Sequence, residues 1–370
     1  MRGHPWVYKD AVVAPGAIVK AQLCQVVDPK GELAWAMYDP HSPLCLRIIS
    51  TDKIPPTDDF YAKRLARAYA LRSHVRSKAT NAYRLLNGEG DLVPGLVCDV
   101  YADTAVLQFD GQGPSEFWDR EFVANWISTN TDCKTVVEKH RRSSDRPLDV
   151  LVGKLENPEV TILENDARFI VDIEKGQKTG FFLDQRDNRK YVRDMSAGKS
   201  VLNLFSYSGG FSINAGLGGA SRVASLDISK GAIDLAERSW IVNGLDKSKH
   251  EPLCVDVFEY LSNATENWDH IIVDPPSMGP SESKKEAAAA KYVEVFAAAA
   301  KRVKPRGDLS VSSCSSHISF EDFLQIIEEA LSLARRRGQI LRVSGQGSDH
   351  PFPHACHELR YLKFVHLALD

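Results

Sequence analysis

Ser312-Ser313-Cys314-Ser315-Ser316-His317 places a thiol among hydroxyls, and Cys314 is the side chain of this sequence best suited to covalent chemistry. A thiol is partly ionised near neutral pH and is a strong nucleophile as thiolate. Cys24, Cys45, Cys98, Cys133 and Cys254 stand in ordinary contexts and read as small buried hydrophobes. Asp274-Pro275-Pro276-Ser277 sets a carboxylate at the head of a rigid backbone lacking amide donors. Such a loop can hold the aspartate and nearby carbonyls against a planar base. In Asp349-His350-Pro351-Phe352-Pro353-His354-Ala355-Cys356-His357-Glu358, Glu358 is a candidate general base if it enters the last strand near the Cys314 loop. The histidines and Cys356 have the composition of metal ligands, but HExxH spacing and a second ligand cluster are missing, so no metal is expected.

A second group of residues suits a nucleoside. Ser206-Tyr207-Ser208-Gly209-Gly210-Phe211-Ser212 is a glycine-rich turn whose amides could approach a ligand, and a tight strand-to-helix connection accounts for it equally well. It is not GxGxxG, which speaks weakly against a pyrophosphate cofactor. Asp227 is placed to accept from a ribose diol, with Ser229 behind it as a helix N-cap. Asp256, before Val257, either binds an adenine amino group or caps the next helix. Lys175 to Arg189 pairs two glycines with adjacent aromatics and a charged follow-on, suited to a flat base and a zwitterionic tail, or to a hairpin leading into a helix.

These residues need strand ends to sit on. From about residue 160, the apolar runs Val201–Phe205, Arg222–Leu226, Leu253–Val255, His270–Val273 and Leu309–Ser312 alternate with helical stretches, and Tyr361–Ala368 reads as a final strand. This predicts a Rossmann-like, doubly wound α/β sheet, in which ligands bind beyond the carboxyl ends of the strands. Glu286–Ala300 is alanine-rich and helical. Ahead of the sheet, residues 1–53 read as a small β module with strands in Ala17–Val27, Leu33–Tyr38 and Cys45–Ile49. Residues 54–158 read as an α+β domain, with helices over Phe60–Ser77 and Glu116–Ser128 and a hairpin from Val93–Val100 and Thr104–Phe109. Residues 159–370 complete a three-part organisation.

The 370 residues are 43% apolar and 26% charged, the composition of a globular protein and not of a disordered or collagenous one. Apolar runs broken by charge within about ten residues do not reach the roughly 20 needed to span a bilayer. The first residues lack a signal-peptide core. Seven scattered cysteines without CxxC pairs predict reduced thiols, and the expected location is cytoplasmic. At a net charge of −3, nucleic-acid binding would have to come from local patches. Two candidates are Lys134, Lys139, His140, Arg141, Arg142 and Arg146, and Arg64, Arg67, Arg72 and Arg76; solvated faces carry such runs as often.

Gly176-Gln177-Lys178-Thr179-Gly180-Phe181-Phe182-Leu183-Asp184-Gln185-Arg186, Asn203-Leu204-Phe205-Ser206-Tyr207-Ser208-Gly209-Gly210-Phe211, Asp274-Pro275-Pro276 and Ser313-Cys314-Ser315 resemble a known family over nearly the whole chain. It is the S-adenosylmethionine-dependent large-subunit ribosomal RNA cytosine-5 methyltransferases of class I. Gly3-His4-Pro5-Trp6-Val7-Tyr8 and Tyr38-Asp39-Pro40-His41-Ser42 are similar to the PUA module that begins those enzymes, although here its first motif starts at residue 3 and the module reads as short. The middle domain corresponds to their RNA-associated domain.

The resemblance implies S-adenosylmethionine as cofactor, an RNA partner, and a possible homodimer, with no membrane. It implies Cys314 as nucleophile at pyrimidine carbon 6 and Asp274 hydrogen-bonding the base near N3; Phe352-Pro353-His354 to Glu358 is similar to a motif of the related uracil-5 methyltransferases, which implies Glu358 as the group that abstracts the carbon-5 proton. It places Asp227 on the ribose, Asp256 near the adenine, and Phe182, Asp184, Arg186 and Ser206 around the methionine part, with Asn203, Gly209, Ile228, Val257 and Asp274 completing the set. The rival readings are methylation of uracil carbon 5 or of a guanine nitrogen, a nicotinamide oxidoreductase on the same sheet, and a non-catalytic RNA-binding or ribosome-assembly protein.

Overall fold

Short β-branched runs punctuated by Pro, Gly and Asp build the first part of the chain. The computed structural model describes residues 3–13, 16, 18–140, 147–278 and 284–370. Strands β1 (Trp6–Val7), β2 (Gln22–Asp28), β3 (Gly31–Tyr38) and β4 (Leu46–Ser50) form an antiparallel sheet in the order β1-β4-β3-β2. The turn between β2 and β3 is held by Asp28, whose carboxylate accepts from the Lys30 amide at 2.7 Å.

Next come α1 (Asp58–Leu71), β5 (Ala82–Asn87), β6 (Leu96–Tyr101), β7 (Thr104–Phe109), α2 (Gln112–Phe117), α3 (Arg120–Asn130), β8 (Thr135–Lys139) and β9 (Leu148–Val152). The five strands pair in sequence order, with β7 and β8 parallel. The helix predicted over Phe60–Ser77 ends at Leu71. The one predicted over Glu116–Ser128 is two helices, because Asp119 accepts from the Phe122 amide at 3.0 Å and starts α3 anew. A hairpin, β10 (Glu159–Glu164) and β11 (Ala167–Asp172), follows.

The remaining elements are α4 (Arg186–Asp194), β12 (Ser200–Leu204), α5 (Gly210–Leu217), β13 (Arg222–Asp227), α6 (Lys230–Val242), β14 (His250–Cys254), α7 (Val257–Asn263), β15 (Trp268–Val273), α8 (Lys285–Ala300), β16 (Val303–Ser313), α9 (Phe320–Ala334), β17 (Gly338–Ser344) and β18 (Lys363–Leu369). They make a seven-stranded sheet in the order β14-β13-β12-β15-β16-β18-β17. Strands β12 to β16 run parallel, as predicted, and β18 is inserted antiparallel between β16 and β17. The strand order reverses at β12, whose neighbours are β13 and β15, and that reversal opens a crevice at the carboxyl ends.

The chain divides into two compact units. The first comprises residues 1–163, 171–183 and 348–359; the second comprises 164–170, 184–347 and 360–370. Leu65, Leu85, Leu107 and Val123 are central to one core of the first unit. In the second, Leu202, Leu226, Val273, Phe296, Phe323 and Val365 pack in one core between sheet and helices. Ala288, Ala297, Ala299 and Ala300 are buried on α8, so the alanine run brings that helix backbone close to its neighbours. No helix among the described residues is long and apolar enough to cross a membrane.

Candidate active site

The second unit gathers most of the residues singled out by sequence. Val273 and Val311 are paired across β15 and β16, so Asp274 leaves the end of β15 beside Ser312, and β16 runs only to Ser313 before Cys314. Asp274 Oδ1 accepts from Gln185 Nε2 at 2.9 Å. The same amide reaches Ser312 Oγ at 3.4 Å, and its carbonyl oxygen accepts from Asn188 Nδ2 at 2.6 Å. Ser344 Oγ donates to Asn188 Oδ1 at 2.6 Å, so each amide in the chain is oriented by the next. Burial, and then the nearby Asp184 charge, push the Asp274 carboxyl up to about 6, against the hydrogen bonds from Ser312 and Gln185 and the charge of Arg189. Asp184 Oδ2 accepts from the Tyr361 hydroxyl at 2.6 Å.

Around Cys314, which is half-buried, Ser313 Oγ donates to Tyr292 Oη at 3.2 Å and accepts from the Ser315 amide at 3.3 Å. Burial pushes the Tyr292 phenol up to about 12, so it stays neutral at working pH. The Lys363 ammonium donates to the carbonyls of Ser315, Ile318 and Tyr361 at 2.5, 2.8 and 2.8 Å.

On the other side of the crevice, Asp227 accepts from the amides of Tyr207 at 2.8 Å and Ser229 at 2.9 Å. The turn between them is tight: Phe205 and Tyr207 adopt φ of 57° and 46°. Gly209 at φ 78° starts α5, where a Cβ would meet the Ala236 side chain at 2.8 Å. Ser229 caps α6 as predicted. The hydroxyls of Ser206 and Ser208 and Asn203 Oδ1 are buried without a hydrogen-bond partner among the described residues. Asn203 Nδ2 donates to Ser212 Oγ at 2.9 Å.

A cleft of about 550 Å³ opens beside Asp227, lined by Ile228, Cys254, Val255, Asp256, Tyr260 and Asn263. Ile228 is 73% exposed there, an apolar side chain presented to the cleft. Asp256 caps α7 by accepting from the Glu259 amide at 3.0 Å, one of the two roles expected of it, and the residue also lines the cleft. The Val257 side chain is buried in the core, leaving its backbone to serve any ligand. Cys254 is a correction: it is exposed, because β14 is an edge strand whose last residue turns into the cleft.

The first unit holds the other candidates. The segment before Phe182 is a run of turns after β11, so tight that a Cβ on Gly176 would meet the Asp172 carbonyl oxygen at 2.2 Å. Thr179 Oγ1 and the Phe181 amide bond the buried Tyr101 hydroxyl at 2.9 and 3.1 Å, and Lys178 lies over the Phe182 ring at 4.7 Å. Glu358 does not enter the last strand. It stands on the short 3-10 turn His357–Leu359, since β18 begins only at Lys363. Its carboxylate is 3.7 Å from His4 Nε2 and is held below the ordinary glutamate value, first by its own backbone amide and further by Cys356 and His4, against burial. The His4, Cys356 and Glu358 heads lie within 4.8 Å of one another, a donor set a transition metal could accept. Burial, above all, pushes the Cys356 thiol up to about 12.

Both candidate basic patches need correction. Arg72 is 1% exposed and bonds Asp91 through both guanidinium nitrogens, at 2.5 and 2.6 Å; Lys139 is buried and donates to the Gly176 carbonyl at 2.6 Å. These two are internal fasteners, and an uncompensated buried charge would be too costly for them to be otherwise. Arg64 bonds the carbonyls of Leu92 and Ile49, Arg76 lies 3.7 Å over the Tyr69 ring, Lys134 pairs with Asp103, and His140 with Asp149. Arg67 is exposed; Arg141, Arg142 and Arg146 lie outside the described residues.

Sequence reasoning assigned no role to Tyr292, Asn188, Tyr361 or Lys363. The one available signal was a lysine at the start of an apolar strand, where a charge is out of place.

Comparison with known proteins adds independent findings. Residues 121–330 match the S-adenosylmethionine-dependent methyltransferase family, and residues 1–51 match a PUA-like domain. A ribosomal RNA large subunit methyltransferase from Deinococcus radiodurans is 37% identical, covering 100% of this chain and 94% of its own length. Ribosomal RNA large subunit methyltransferase I of Aeromonas salmonicida is 34% identical over 98% of this chain and 94% of its own. A solved methyltransferase complexed with SAH superposes with a TM-score of 0.88 at 25% identity, covering 99% of this chain and 96% of that one.

Proposed function

This chain belongs to the S-adenosylmethionine-dependent ribosomal RNA large subunit methyltransferase family, and from that premise we propose that it forms 5-methylcytidine in large-subunit ribosomal RNA through a transient Cys314 adduct. The observation that carries the reading is the departure of Asp274 and the Cys314 loop from adjacent strand ends. The cofactor's fit is supported by exposed Ile228 and Asp256 lining one cleft, and by the hydroxyls of Ser206 and Ser208, buried without a hydrogen-bond partner among the described residues. Ile228 and Asp256 would hold the adenine, Asp227 the ribose, and Ser206, Asp184, Arg186 and Phe182 the methionine part. When bound, S-adenosylmethionine supplies an electrophilic methyl for carbon 5.

Carbon 5 of cytosine is a poor nucleophile, and the chain's residues change that. The Cys314 thiolate forms a bond to carbon 6, and the displaced electron pair makes carbon 5 enamine-like. Asp274, whose carboxyl is raised to about 6 and so takes up a proton more readily than an ordinary aspartate, hydrogen-bonds the base near N3 and stabilises the adduct. After methylation Glu358 takes the carbon-5 proton, the electron pair returns to the ring, and the carbon–sulfur bond breaks to release thiolate. A stacked base cannot reach a thiol at the end of a sheet, so the nucleotide must be unpaired or flipped out, at a cost on the order of a few kcal/mol. We further read residues 1–53 as a PUA-like module, 54–158 as an RNA-associated domain and 159–370 as the methyltransferase domain.

The test is nucleoside mass spectrometry of ribosomal RNA from cells with and without the protein, and with Cys314→Ala. Loss of one 5-methylcytidine in both altered strains is expected. A lost 5-methyluridine would move the chemistry to uracil. Retained activity in Cys314→Ala would point to nitrogen methylation, which needs no thiol.

A further inference from the structure

The Lys363 ammonium is 4% exposed, and its three donors are all taken by carbonyls. Two of those carbonyls, on Ser315 and Ile318, belong to the loop that immediately follows Cys314; the third is on Tyr361, whose hydroxyl holds Asp184. Among the described residues no carboxylate hydrogen-bonds this cation, an expensive arrangement for a purely structural tie. A glutamine could donate to two of these carbonyls without burying a charge.

We propose that Lys363 is a positioning residue for the nucleophile: it clamps the Cys314 loop and places a buried positive charge beside the sulfur, favouring the thiolate that attacks the base. The assignment rests on the covalent mechanism proposed above. The two groups interact: a Cys314 thiolate holds the ammonium charged, while burial pushes it down to about 8. Other charges face the same place. Asp322 on α9 also favours the ammonium and Arg360 opposes it; Asp274 and the Tyr292 phenol, with Cys314, surround the other side of the loop. An opposite charge within a few ångströms moves a thiol toward ionisation, and a low-dielectric setting strengthens the effect.

The test is iodoacetamide labelling of Cys314 in the full chain across pH 5.5 to 10, read on the Cys314 peptide by mass spectrometry. Lys363→Met should raise the midpoint of labelling by about one pH unit, roughly a tenfold drop in labelling rate at neutral pH. Lys363→Arg, which keeps the charge, should restore most of that rate. S-adenosylmethionine binding by equilibrium dialysis reports whether Lys363→Met is folded. If it is not, the wild-type midpoint in buffer must lie below that of the same cysteine in 6 M guanidinium. A midpoint unmoved by Lys363→Met, a folded wild-type midpoint at or above the denatured one, or a Cys314 that never labels overturns the proposal. Failure of the mechanism itself reads differently: Cys314→Ala would then keep its activity whatever the labelling shows.

Discussion

Gln185 donates to Asp274 across 2.9 Å while Asn188 fixes the other end of its amide, so the carboxyl at the end of β15 is aimed by a residue 89 positions earlier in the chain. The same carboxyl is partly desolvated and faces Asp184. Its folded value near 6 exceeds the ordinary 3.8, so the folded state binds more protons between those two values. Stability from this group is therefore present at low pH and is lost as pH rises through about 6. Asp274→Asn should raise the melting temperature at pH 8 by a few degrees, show no gain at pH 4, and lower methyl transfer about a hundredfold or more. Thermal melts at both pH values and a single-turnover assay check it.

Tyr361→Phe removes the 2.6 Å hydrogen bond that holds Asp184. A bond to a charged group contributes about 1.5–3 kcal/mol to the fold, so the melting temperature should fall by several degrees, and with Asp184 no longer held S-adenosylmethionine affinity should fall roughly tenfold. Titration calorimetry decides; an unchanged dissociation constant removes Asp184 from the cofactor site.

Arg72→Met leaves the Asp91 carboxylate buried at 0% side-chain exposure and empties donors to Asp349, Arg84 and Ala68. The expected loss is about 3–5 kcal/mol, seen as an early unfolding transition of the first unit. Double substitution with Asp91→Leu should recover part of it.

Acid should weaken the second unit. His250, stacked on Trp240 at 4.4 Å, and fully buried His366 are both pushed down by burial to about 4. Their ordinary value is 6.5, so the unfolded chain binds more protons between pH 6.5 and 4 and stability falls as pH drops through that window. Urea midpoints measured from pH 7 to 4.5 should decline steadily. His250→Phe, which keeps the ring stack without titrating, should reduce the slope by close to one proton.

The elements legible in sequence were those whose residues face one environment. The parallel strands β12, β13, β15 and β16 are short apolar runs buried on both faces, and the polar residues behind them marked the strand ends. By contrast, β17 went unseen because it is an edge strand with Ile340, Leu341 and Val343 exposed among Gly, Gln and Arg. β5 went unseen because Arg84 sits inside it, neutralised by Asp99 from the next strand, a partner no local pattern reveals. The basic patches failed for the same reason: Arg72 and Lys139 look solvated in one dimension and are buried in three. Cys314, Asp274 and Asp227 were legible as polar side chains at the ends of apolar strands. Lys363 was marked only by a charge at the start of an apolar strand, because its partners are backbone carbonyls, which carry no signature in sequence.

The insertion of β18 between β16 and β17 has a bearing on biosynthesis. Until residues 363 to 369 have been synthesised, β16 presents an open ladder, and the slot beside it is a template for any extended peptide. A nascent chain arrested before that point would carry the residues proposed for the cofactor and still display an unpaired strand edge. Pairing of β16 and the three Lys363 hydrogen bonds to the carbonyls of Ser315, Ile318 and Tyr361 thus arrive together, with the last strand.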